Sequence, residues 1–179
     1  MSFYVRKVTK SKWPKTVEGV KSPDDLDAEL FLGEFMPEKN QLSFWLVDSI
    51  DELQNAVIAI ALTPKATSIQ KVDVVWVEED TIDKLDLKTK CSGGDTAARK
   101  FAGLHREICE LTYSSLGTIA NEVFTAIHNE GQSKRISKSE MELFLKEALK
   151  NKIIDLDFCS EDMKEKLIKL SSAEKEISE

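Results

Sequence analysis

The chain has 179 residues, of which 41% are hydrophobic and 32% charged, with a formal net charge of -7. This composition excludes a disordered chain, because it holds enough apolar surface to offset the conformational entropy of folding, and the length suits one sizeable core rather than two large domains. The acidic balance disfavours general nucleic-acid binding, which depends on clustered Lys and Arg to neutralise phosphates.

Phe3 to Val8, FYVRKV, alternates apolar and basic residues and predicts a first strand with one solvated face, placed at a sheet edge. Ser22-Pro23-Asp24-Asp25 supplies a capping hydroxyl, a proline suited to the first helical position and two carboxylates for the positive end of the dipole. The helix it starts is expected to reach about Phe31 and stop near Gly33. Gln41 to Val47, apolar on nearly every residue, reads as a central strand covered on both faces. Ser49 and Glu52 form a capping box ahead of a helix from Ile50 to Leu62, ended by Pro64. Lys71 to Glu79 is a third strand with Asp73 as its one charged interior residue.

From Thr96 no further strand-like run is apparent. Phe101, Leu104, Ile108 and Leu111, followed by Leu116, Ile119, Val123 and Ile127, hold an apolar stripe at helical spacing from Thr96 to Glu130, with Gly131 as its stop signal. Ser137 and Glu140 make a second capping box, flanked by Ile136 and Met141 as a hydrophobic staple, and open a helix to about Lys150. Ser160 caps a last helix from Glu161 to about Leu170. The expected fold class is α+β: over residues 1–90 a small three-stranded sheet with two helices, mixed if those helices act as crossovers, then an all-helical region over 91–179 packed on it as one unit.

Lys90 to Lys100, KCSGGDTAARK, contains the one pair of adjacent glycines and is the most enzyme-like stretch. Ser92, Gly93, Gly94 and Thr96, with Arg99 and Lys100 as charge partners, make a candidate phosphate cradle, since glycines let backbone N–H groups converge on an anion at a helix start. The stretch lacks a Walker lysine-serine pair and GxGxxG spacing, and Asp95 opposes an anion, so it reads equally as a linker ending in a helix cap. His105 and Cys109, four apart, would share a helix face as half of a metal site; with no further ligand at hand, His105 reads instead as a half-buried histidine with a single hydrogen-bond partner. His128 to Glu140 resembles a calcium loop only in length, because Lys134 stands where the turn glycine belongs.

The basic N-terminus interleaves Arg6, Lys7, Lys10, Lys12 and Lys15 with Tyr4 and Trp13, a pattern in which rings stack on bases while cations meet phosphates. Lysines that guard an edge strand, with Trp13-Pro14 plugging the core, explain the same residues. Three cysteines, Cys91, Cys109 and Cys159, are an odd number at unrelated spacings, and read as reduced thiols of a cytoplasmic protein. Neither a signal peptide nor a membrane-spanning run is visible.

No cofactor is implied. The leading expectation is a non-catalytic protein-interaction or regulatory protein that uses a helical surface toward a protein partner, most simply a second copy as a homodimer. The alternatives are a small enzyme or nucleotide-binding protein using the Ser92–Thr96 loop, and a nucleic-acid binder using the basic N-terminus.

Overall fold

Period-two alternation along the strands sends side chains into two apolar layers rather than one. The computed structural model describes residues 1–9, 28–128 and 131–172. Its strands are β1 (Phe3–Val8), β2 (Leu42–Val47), β3 (Val72–Glu78), β4 (Thr89–Cys91), β5 (His105–Ile108) and β6 (Ser133–Ile136). Its α-helices are α1 (Ala28–Phe35), α2 (Leu53–Ala61), α3 (Glu79–Asp83), α4 (Tyr113–His128), α5 (Lys138–Lys150) and α6 (Glu161–Ser172), with short 3-10 turns at Ile50–Glu52, Arg99–Leu104 and Leu156–Phe158.

The strands form one six-stranded sheet in the order β4-β5-β2-β1-β3-β6, with every pairing antiparallel. Val5, Trp45, Val47, Val74 and Trp76 face a layer built by α2, α5 and α6. Tyr4, Phe44, Val75, Val77 and Ile108 face the opposite layer, where Phe35 of α1, Ile82 of α3 and the inner side of α4 close over them. Burial on both faces explains the unbroken apolar run of β3, in which all but the last residue is buried.

The expected three-stranded sheet is therefore corrected to six strands, and the expected all-helical second half is corrected with it, because β5 and β6 lie beyond residue 96. The Phe101–Leu111 part of the stripe is not helical. Its apolar residues are divided between a 3-10 turn, whose Phe101 and Leu104 pack on the first layer, and β5, whose Ile108 enters the second. A four-residue strand with three polar positions leaves too short a pattern to separate from a helix by spacing alone. Leu116, Ile119, Val123 and Ile127 do lie on a helix, α4, yet all four are buried inside this one chain, so the stripe supplies no spare surface.

β1 is also corrected from an edge to the middle of the sheet. It pairs with β2 from Phe3↔Val47 to Val5↔Trp45 and with β3 from Phe3↔Glu78 to Val8↔Asp73. The Ser22–Asp25 start signal lies outside the described residues, and α1 continues through Gly33 to Phe35. Before α2, the Ser49 side chain makes no capping bond, and the Glu52 carboxylate accepts from Asp48 N–H at 3.3 Å instead. At α5 the capping box is complete: Glu140 N–H donates to Ser137 Oγ at 3.2 Å and Ser137 N–H to Glu140 Oε2 at 2.8 Å, with Ile136 and Met141 buried together beside it. Ser160 Oγ accepts from Met163 N–H at 3.2 Å and starts α6.

Candidate functional site

The two glycines of the Ser92–Thr96 loop are there for different reasons. Gly93 has φ +66°, a left-handed conformation that side chains resist, with open space around it. Gly94 is needed for closeness: a Cβ there would stand 2.3 Å from Trp45 Cη2 and 3.0 Å from His105 Cβ. Thr96 is fully buried, and its hydroxyl donates to Ala59 O at 2.9 Å while accepting from Ala98 N–H at 3.2 Å.

Several donors in and just after this loop are engaged within the protein. Gly94 N–H goes to Ala102 O at 2.7 Å, Ala97 N–H to Leu62 O at 2.8 Å and Arg99 N–H to Ala97 O at 2.9 Å. The Arg99 guanidinium lies 4.3 Å over the Phe158 ring, and Lys100 Nζ donates to Asn151 O at 3.3 Å. The loop runs into a 3-10 turn rather than an α-helix, so no aligned macrodipole points at it. Its polar groups tie the sheet to α2 and to the Asn151–Phe158 segment.

Ser92 Oγ lies 2.7 Å from His105 Nδ1, a pairing that the sequence does not name. The imidazole packs edge-on against Trp45, with centroids 5.0 Å apart. Burial pulls its pKa below 6.5, with Arg106 adding to the effect and Glu107 opposing it, so the ring is neutral at neutral pH. A hydroxyl beside a neutral base is the start of a nucleophilic pair, but among the described residues no carboxylate orients the ring. Arg106 Nη1 donates to Cys91 Sγ at 3.2 Å and to Gly103 O at 2.8 Å. His105 and Cys109 are separated by strand rather than by a helical turn, and among the described residues no group of three or more His, Cys, Asp or Glu side chains is placed to hold a metal ion.

Comparison with family models, curated proteins and solved structures finds no match.

Of the basic N-terminal candidates, Lys10, Lys12, Trp13 and Lys15 lie outside the described residues. Arg6 is turned inward. β1 and β2 separate after Val5, and the guanidinium fills the gap, donating to Ser43 O at 2.8 Å and Glu34 O at 2.6 Å with its Cζ 5.3 Å from the Phe44 centroid. Burial lowers its pKa to about 10, which leaves it charged at neutral pH. Lys7 points to the opposite face and is exposed.

Exposed apolar side chains include Leu32 of α1 and Met36 just after it, at 61% and 77% exposure, and Tyr113 at the start of α4, at 96%. Trp45 escapes a motif-based reading, because it acts on residues far along the chain. The one usable signal for Trp45 is indirect: an indole in a buried strand requires a small residue wherever another segment crosses it, and Gly94 is that residue.

Proposed function

We propose that the protein acts by binding rather than by catalysis, presenting a helical surface to a protein partner, of which a second copy of the chain is the simplest. The observation that supports this reading is the pair Leu32 and Met36, one helical turn apart at α1 and its C-terminal end. Phe31 and Phe35 of the same helix turn inward to the second apolar layer. Two exposed side chains at this spacing are the anchors by which an amphipathic helix docks on a groove or on its own copy. Fully covering either one is worth about 1.5–3 kcal/mol.

Three free thiols, and the lack among the described residues of any helix long and apolar enough to cross a membrane, support a cytoplasmic setting. Sedimentation velocity over a range of concentrations tests the reading. The expected result is a reversible dimer, or capture of a defined protein partner, that the double variant Leu32→Glu, Met36→Glu weakens more than about tenfold while its circular dichroism stays unchanged. A strict monomer that captures no protein overturns it.

A further inference from the structure

A pocket of about 270 Å³ lies between the loop of residues 62–71, β1 and the α5–α6 pair. Among the described residues its titratable lining consists of Lys7 from β1 and Lys65 and Lys71 from the loop, with no acidic residue. In a chain where 32 acidic side chains outnumber 25 basic ones, a concave site walled by cations alone departs from the average surface. None of the three ammonium groups has a hydrogen-bond or ion-pair partner among the described residues.

Several nearby acceptors are turned elsewhere. Ala59 O takes the Thr96 hydroxyl, Leu62 O takes Ala97 N–H, and Thr63 O takes Ala66 N–H. Ala66 O accepts from Ser160 Oγ at 2.6 Å and Thr67 O from Lys166 Nζ at 2.6 Å, so α6 also holds the loop in place. Of the carbonyls at the end of α2, those of Ile58 and Ala59 are engaged, by Leu62 N–H and the Thr96 hydroxyl. Positive charge is therefore left at the rim with no counter-charge among the described residues.

The floor is of opposite character. Met141 and Leu145 of α5 and Met163 of α6 line it, all of them almost wholly buried, and Ile60 and Val72 complete the apolar side. Methionine is adaptable and accommodates unbranched chains of varied shape. At Lys7, Ile60 and Thr63 the pocket continues into the slot left by the parting of β1 and β2. There the Arg6 Nε is buried with no partner among the described residues, and the Glu34 carboxylate is occupied by Thr9 N–H at 3.1 Å.

We propose that this pocket binds a small amphipathic anion, its carboxylate or phosphate head held by Lys7, Lys65 and Lys71 and a short unbranched tail laid against Ile60, Ala61 and Ile69, which the buried methionines back. The volume falls below the roughly 300–1,000 Å³ typical of drug-sized ligands, so the tail is a few carbons long. Lysines act as point charges and do not by themselves choose between the two heads.

The test is a backbone-amide NMR titration with hexanoate, hexyl phosphate, inorganic phosphate and 1-hexanol. Hexanoate or hexyl phosphate is expected to shift amides of residues 63–72 saturably, the tighter of the two identifying the head. Inorganic phosphate and 1-hexanol are expected to bind about tenfold more weakly or worse, since each lacks one half of the recognition. The triple variant Lys7→Gln, Lys65→Gln, Lys71→Gln is expected to keep its fold and lose about tenfold or more in affinity for both amphiphiles. As a readout independent of any variant, added salt is expected to weaken hexanoate binding to the unmodified protein. Absence of saturable shifts with both amphiphiles, binding that survives the triple variant and high salt, or inorganic phosphate binding as tightly as hexyl phosphate overturns the proposal.

Discussion

Gly93 and Gly94 are neighbours with separable tasks, and substitution distinguishes them. At Gly93 the obstacle is the backbone, so Gly93→Ala is expected to cost about 1 kcal/mol, and Gly93→Asn less, because asparagine tolerates left-handed angles. At Gly94 the obstacle is the indole of Trp45, a rigid group that cannot yield without disturbing β2 and the first apolar layer. Gly94→Ala is expected to cost about 1–3 kcal/mol, and Gly94→Asn at least as much, in urea unfolding followed by tryptophan emission. Equal losses for the two asparagine variants would contradict this division of roles. The sequence marks both positions as glycine but not why; the reason at Gly94 is a contact across about fifty residues of chain, invisible to any local rule. The lysine pocket is hidden in the same way. Lys7 and Lys71 line one pocket only because β1 pairs with β3, and no spacing within either segment announces it.

Local chemistry is most legible at α5. Ser137, Glu140, Ile136 and Met141 lie within six residues and their interactions are complete without outside help. Ser137→Ala removes the acceptor for Glu140 N–H and is expected to cost about 1 kcal/mol in chemical denaturation. A variant as stable as the original would show that packing of Met141 and Leu145, not the cap, sets where the helix begins. Where local signals were weak, tertiary pairing decided. HREI and SKRI carry one apolar residue each and have no strand pattern of their own, yet β5 is held by backbone bonds to β2 and β4, and β6 by its pairing to β3. The Arg135 guanidinium adds two bonds to the nearly buried Asp73 carboxylate, at 2.7 and 2.9 Å, which explains the charged residue inside β3. Asp73 stood out in the sequence as an exception, but its partner, 62 residues on, did not.

At the scale of the molecule, both layers depend on elements made late in the chain. The first layer needs α5 and α6 over Val74 and Trp76, and the second needs α4 over Val75 and Val77. A fragment of residues 1–90 keeps β2-β1-β3 but leaves much of both sheet faces bare. It is expected to lack the near-ultraviolet dichroism of packed aromatics and to aggregate, whereas a cooperatively folded, monomeric fragment would show that the central strands are self-sufficient. The strand order also carries a consequence for biosynthesis. The ribosome releases β1 first, then β2, then β3, which are the three adjacent central strands, while β5, β4 and β6 are added to the flanks afterwards. Apart from β4, which must wait for the later β5 that it pairs with, the sheet can thus grow outward from its middle in the order of translation. At about 5–20 residues per second, the nascent ribbon waits several seconds for the helices that will cover it. During that interval its oily faces are open to a holding chaperone, and it is then, rather than after release, that this chain is most in need of one.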